Sequence, residues 1–187
     1  MTSHTDSARS GGAAEACRSL HMLAGWWSLL VFLTFGLVLE LLHGFKAPFY
    51  LDLENETRRL LWTLAHAHGT LLALVNIAFA VSLSHLPGWT RVRLLTASRS
   101  LLGSTALLPA GFLLGGAVIH HGDPGLGIAL VPLGAALLMV AVFCTALSAV
   151  GPRPARRDAD RDRPAAGARK ADRAHAAGAE NHARSRA

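Results

Sequence analysis

The chain has 187 residues, of which 51% are hydrophobic and 16% are charged, and its formal net charge is +6. This length favours one domain, and the two cysteines predict no structural disulfide. The sequence contains no phosphate-binding glycine loop, nucleotide-binding fingerprint or nucleophile triad, so it does not indicate a particular reaction.

Four long apolar runs occupy the part of the chain between residues 22 and 150. Each run reaches the roughly 20 residues that a helix needs to cross about 30 Å of hydrocarbon. We therefore predict an all-α fold, an integral membrane four-helix bundle. In chain order, residues 1–19 form a disordered N-terminal segment and residues 20–150 the transmembrane domain. Its helices are predicted at about 20–43, 60–86, 100–120 and 126–150.

Residues 151–187 form a basic tail rich in Ala, Arg, Pro and Gly, without aromatic side chains. Such a segment cannot bury a core, and we predict that it is disordered. Attraction to anionic lipid headgroups accounts for its charge. We expect no nucleic-acid partner, because no aromatic platform for bases accompanies the basic residues.

The basic residues near the apolar runs predict an orientation. With up-down-up-down helices, one side carries Arg9, Arg18, Arg91, Arg93, Arg99, Arg153, Arg156 and Arg157, and the other carries Lys46, Arg58 and Arg59. The positive-inside rule then places both termini in the cytoplasm. The Ala- and Arg-rich, Lys-poor composition favours a bacterial inner (cytoplasmic) membrane.

This topology gathers seven ionisable side chains near the outer membrane face. They are Glu40, His43, His66, His68, His120, His121 and Asp123. Ionisable groups at that depth are costly unless they are paired, hydrated or metal-bound, so they are candidates for a functional site. The other histidines, among them His21 and His85, are expected to be solvated. Asn76 is expected to form a hydrogen bond to a neighbouring helix.

Helical spacing separates these candidates by direction. Glu40 and His43 are three residues apart and share a face, with Gly36 one turn below Glu40. His66 and His68 point in nearly opposite directions. Small residues on the His66 side predict that His66 faces the bundle. The side of α2 that carries His68 has bulkier residues, and we expect it to contact lipid, a second subunit or an apolar cofactor.

Three interpretations of this cluster remain open. In the first, it binds copper, iron or zinc, with ligands from Glu40, His43, His66, His120, His121 and Asp123, or it binds heme. In the second, the same groups handle protons or ions, although no ionisable group is predicted in the cytoplasmic half of the helices. In the third, the polar residues only lock helices together.

The stretch Leu64-Ala65-His66-Ala67-His68-Gly69 resembles the His-x-His helix of heme-copper oxidase and nitric oxide reductase catalytic subunits, and of small bacterial membrane proteins related to them. The resemblance implies that His66 and His68 are axial heme ligands. It covers only this stretch, and four spans replace the dozen of the large enzymes.

The functional hypothesis is a redox or respiratory accessory protein that binds heme or a transition metal. The alternative is a cofactor-free structural or assembly subunit. The expected partners are the lipid bilayer and either another membrane protein or a second copy of the chain.

Overall fold

The computed structural model consists of four long helices joined by short connections, and it describes residues 3–51, 56–86 and 88–150. The helices are α1 (Ser3–Gly44), α2 (Thr57–His85), α3 (Arg91–Ala117) and α4 (Leu130–Ala149). Two short strands, β1 (Ile119–His120) and β2 (Asp123–Pro124), and a 3-10 turn (Leu126–Ala129) connect α3 to α4. The predicted tail, 151–187, lies outside the described residues.

Four stretches of these helices are long and apolar enough to cross a membrane. They are Gly12–Gly44, Thr57–His85, Arg91–Ala117 and Leu126–Ala149. This finding confirms the prediction of four helices with the length and composition of membrane spans. It is the pattern of a multi-pass membrane protein.

Two helices begin earlier than predicted. α1 starts at Ser3 instead of about residue 20, so residues 3–19 are helical in the structure rather than disordered. This segment contains several alanines, which favour helix, and Cys17 packs into the hydrophobic core. α3 starts at Arg91 instead of about residue 100, and its N-cap Thr90 accepts a hydrogen bond from the Arg93 amide at 3.3 Å.

The third predicted helix is too long at its other end. α3 ends at Ala117, and the chain then forms a small antiparallel hairpin in which His120 pairs with Asp123. The turn residues His121 and Gly122 have φ values of 51° and 90°. A two-residue hairpin turn uses positive φ at both of its positions, which His121 and Gly122 provide. The chain therefore forms a hairpin after Ala117 instead of continuing the helix to residue 120.

Each helix packs mainly against its neighbours in sequence, α1 on α2, α2 on α3 and α3 on α4, while α1 touches α3 only lightly. Residues early in α1 meet residues late in α2: His21 contacts Asn76, whereas Gly36 lies against His66. α2 and α3 form the central pair, with 39% and 44% of their apolar windows buried, against 11% for α1 and for α4. The outer helices therefore offer the most apolar surface to lipid.

Helices α3 and α4 approach closely because glycines line their contact. A Cβ on Gly111 would lie 2.9 Å from the backbone nitrogen of Val131, and one on Gly134 would lie 2.8 Å from that of Leu108. Such distances leave no space for a side chain, which is the role of small residues in membrane helix packing.

A buried polar network joins α1, α2 and α3. His21 is completely buried; its Nδ1 lies 2.6 Å from Asn76 Oδ1 and its Nε2 lies 2.9 Å from Ser98 Oγ. The prediction that His21 is solvated is wrong, because its position near the end of a span hid its contacts with two other helices. Asn76 is buried as well and donates to Thr105 Oγ1, which confirms its predicted interhelical hydrogen bond.

The partners determine the direction of each hydrogen bond in this network. The carbonyl oxygen of Asn76 accepts, so His21 Nδ1 carries a proton and donates. In a neutral imidazole Nε2 then accepts, and the Ser98 hydroxyl donates to it. The Asn76 amide donates to the Leu72 carbonyl at 2.8 Å, and Thr105 donates to the Leu101 carbonyl at 2.8 Å. All polar atoms of the His21 and Asn76 side chains are thereby satisfied.

We expect Asn76→Ala to lower the free energy of unfolding by about 1–2 kcal/mol, because it leaves His21 Nδ1 without an acceptor in a buried site. Reversible unfolding in mixed detergent micelles measures this change. Ser82→Ala is the matched control, since the Ser82 hydroxyl bonds only the Ala78 carbonyl of its own helix. Equal effects of the two substitutions would contradict a stabilising role for the network.

Candidate functional site

An open cavity of about 790 Å³ lies between α1, the connection that follows it and the first half of α2. Its walls are partly polar and partly apolar. The ionisable residues on these walls are Glu40, His43, Glu56, Arg59 and His66. The structure thus brings together three of the seven residues that the sequence singled out, namely Glu40, His43 and His66.

The charges around the cavity are unequal. Arg59 pairs with Glu56 at 3.0 Å, which leaves the second carboxylate, Glu40, without a basic partner among the residues that the structure describes. Glu40 and His43 are both exposed, and they lie three residues apart on α1. With neutral imidazoles, the cavity therefore carries a net negative charge, which favours a cationic ligand.

His66 is the most firmly positioned of the cavity residues. Its Nδ1 lies 2.8 Å from the backbone carbonyl of Phe32, so this nitrogen is the donor and Nε2 keeps its lone pair. The ring lies against Gly36, where a Cβ would come within 2.7 Å of Nδ1. A histidine held through one nitrogen by a backbone carbonyl is the arrangement found in many metal sites.

His68 lies on a different side of α2, as the spacing predicted, but that side packs against α3 instead of being left for lipid, a second subunit or a cofactor. Its Nδ1 donates to the Leu64 carbonyl of its own helix at 2.9 Å, and its ring packs on Phe112 of α3 with centroids 4.9 Å apart. It does not line the cavity. His66 and His68 therefore do not share one ligand.

His121 and Asp123 of the hairpin do not line the cavity. His121 and Asp123 are exposed, and the backbone of His120 lies in β1 opposite Asp123. Among the side chains that the structure describes, no three His, Cys, Asp or Glu residues lie close enough to hold a metal ion. The side chain of His120 lies outside this described set. The remaining members of the predicted metal site, Glu40, His43, His66, His121 and Asp123, do not form one ligand set in the structure.

Two side chains at the start of α2 hold the neighbouring connections in place. Arg58 donates to the Gly116 carbonyl at 3.1 Å and to the Phe49 carbonyl at 2.7 Å. Thr57 donates to the Gly122 carbonyl at 2.9 Å. The start of α2 therefore anchors both the connection after α1 and the hairpin after α3.

Tyr50 lines the cavity and is held in place by Trp62. Tyr50 is 4% exposed and stacks on Trp62 with centroids 6.3 Å apart, while Trp62 donates to the Leu113 carbonyl at 3.1 Å. The sequence interpretation missed Glu56, Arg59 and Thr63 as cavity residues. The only signals were the three-residue spacings Glu56–Arg59 and Thr63–His66, which place each pair on one helical face.

No protein-family model, curated protein or solved structure matches this chain. The resemblance of Leu64–Gly69 to a heme-ligating helix stays a prediction. The function of the protein therefore has to follow from the residues that line the cavity and from their surroundings.

We expect Gly36→Ala to lower the free energy of unfolding by about 1–3 kcal/mol, because the new methyl group overlaps the His66 ring and strains its bond to Phe32. Gly44→Ala is the control, since a Cβ at Gly44 meets no atom within 4 Å. Unfolding in mixed micelles compares the two. A neutral Gly36→Ala would show that the packing of His66 against α1 is loose.

Proposed function

We propose that the chain is a multi-pass protein of a bacterial inner membrane, with up-down-up-down helices and both termini in the cytoplasm. The reversed order of contacts between α1 and α2 and the clustering of Arg91, Arg93 and Arg99 between α2 and the middle of α3 support this orientation. The cavity then opens toward the outer side of the membrane.

We further propose that the cavity binds a divalent transition-metal ion, with His66 as its central ligand. The observation that carries this proposal is the Phe32–His66 hydrogen bond, which orients the ring and leaves Nε2 with its lone pair in a cavity that Glu40 also lines. Imidazole and carboxylate ligands suit zinc, copper and iron. With copper or iron, the protein would serve as a redox or respiratory accessory subunit.

Binding requires a rearrangement of two side chains. Glu40 and His43 line the same cavity as His66 but do not form a closed ligand set with it. Both are exposed, so changes of rotamer on an intact α1 bring them toward His66 at little cost. His43 and Glu40 would complete the ligand shell from one helix, with His66 contributed by the other.

A cofactor-free structural role is the second candidate. The observation in its favour is that His66 and His68 each already bond a backbone carbonyl, so both side chains have a packing role without any ligand. Heme ligation by His68 is the less supported version of the cofactor proposal, because the ring is packed against Phe112.

We expect the purified protein to bind about one equivalent of zinc or copper, and His66→Ala to weaken this binding at least about tenfold, because it removes the oriented imidazole. Equilibrium dialysis with metal analysis measures both. His68→Ala is the matched control, since it removes a histidine two residues away that does not line the cavity. An absorption spectrum with a Soret band lost in His68→Ala would instead support heme. Absence of bound metal and heme would favour the structural role.

We expect reporter fusions after residue 88 and after residue 150 to be cytoplasmic, and a fusion after residue 46 to be periplasmic, because the basic residues are retained inside. Paired phosphatase and fluorescent-protein fusions read out the two compartments. A periplasmic signal for the fusion after residue 88 would reverse the proposed orientation and place the cavity on the inner side.

A further inference from the structure

The buried His21 site lies far from the cavity, at the start of the apolar part of α1. The imidazole has no exposed surface and contacts α2 through Asn76 and α3 through Ser98, while its ring meets Phe79 edge-on with centroids 4.6 Å apart. It is the only fully buried ionisable side chain among those that the structure describes. Neither proposed function uses it.

No opposite charge accompanies this histidine. On α1, Glu15 and Arg18 pair with each other at 2.7 Å and are largely exposed, and Cys17 is the buried ionisable group nearest in sequence. On α2 the nearest ionisable residue toward the same end is His85, and on α3 it is Arg99; both are exposed. Within the described ranges, His21 forms no ion pair.

Protonation of His21 would have two consequences. Nε2 would become a donor, and the Ser98 hydroxyl could turn to accept from it, so the hydrogen bonds would survive. The positive charge, however, would be buried without a carboxylate to compensate it. An uncompensated buried charge is strongly unfavourable and is relieved when water reaches it.

α1 is attached to the bundle almost entirely through α2. Only 11% of its apolar window is buried, against 39% for α2 and 44% for α3, and its contact with α3 is slight, so loss of the His21 bonds removes a large part of what holds its first half to α3. Cys17 lies one turn before His21, is 7% exposed and belongs to the hydrophobic core. Any separation of this part of α1 from α2 and α3 would therefore expose the Cys17 thiol.

We propose that His21 is a proton-operated latch, which holds the first half of α1 against α2 and α3 when neutral and releases it when protonated. The latch does not depend on the proposal that the cavity binds a metal ion. It also gives the cavity a means of regulation, because Gly36, Glu40 and His43 lie on the same helix.

Alkylation of Cys17 tests the latch in the full-length Cys144→Ser chain, reconstituted in lipid vesicles and treated with the membrane-permeant reagent N-ethylmaleimide. At each pH the rate is divided by that of the denatured chain, which removes the loss of reactive thiolate on acidification. We expect this ratio to rise at least about tenfold from about pH 8 to about pH 5, the range over which histidine gains a proton. A flat ratio would overturn the proposal.

Two variants assign the response to His21. His21→Gln retains hydrogen-bonding atoms but cannot titrate in this range, and Asn76→Asp places a carboxylate against the imidazole, which compensates its charge. We expect both to keep Cys17 protected at about pH 5. Persistence of the acid response in either variant would overturn the latch. If His21→Gln exposes Cys17 at every pH, this substitution has itself loosened α1. The alkylation ratio of Asn76→Asp at about pH 5 then decides between the latch and its refutation.

Cys144 provides a matched control in the Cys17→Ser chain. It lies on α4, which packs on α3 and makes no comparable contact with α1. We expect its normalised alkylation to change less than about twofold over the same pH range, since the latch does not touch α4. A parallel rise at Cys144 would indicate general acid unfolding and would refute a local release.

Discussion

The arrangement of the first three helices depends on the hydrogen bonds that satisfy the buried His21 and Asn76 side chains away from water. His21, Asn76, Ser98 and Thr105 lie on three helices, and among the described residues the buried imidazole of His21 has no hydrogen-bond partner except Asn76 and Ser98. The directions of the hydrogen bonds leave one consistent arrangement of protons. The network therefore specifies the register of α1 against α2 and α3 in a way that apolar contacts alone do not.

The same constraint explains how α1 is attached. α2 and α3 form the well-buried centre, whereas most of α1 is exposed. α1 is held to α2 by His21 with Asn76 and, further along, by the Phe32 carbonyl with His66. Glycines at positions 25 and 36 admit Ile77 and His66 to its surface. Toward the C-terminal end of α1, these polar contacts cease and the cavity lies between the two helices.

The cavity was only partly predictable. The three-residue spacing of Glu40 and His43 and the opposed directions of His66 and His68 follow from helix geometry, and the structure agrees with both. His121 and Asp123 do not line the cavity; they belong to a hairpin that follows the early end of α3. The sequence predicted a connection at residues 121–125, but it did not reveal that Ile119 and His120 leave the helix and pair with that connection. His21 was overlooked for a related reason: its partners are 55 and 77 residues away in sequence.

The amino-acid sequence by itself determined the number of helices, their capacity to span a membrane and the faces on which their polar residues lie. These properties follow from length, hydrophobicity and the repeat of the helix, which are local. Only the tertiary structure decided which polar residues meet. Hydrogen-bond partners belong to different helices, and their contact depends on helix register and on the course of the connections. A shift of one residue turns a side chain by about 100° and would separate His21 from Asn76 and His66 from Phe32.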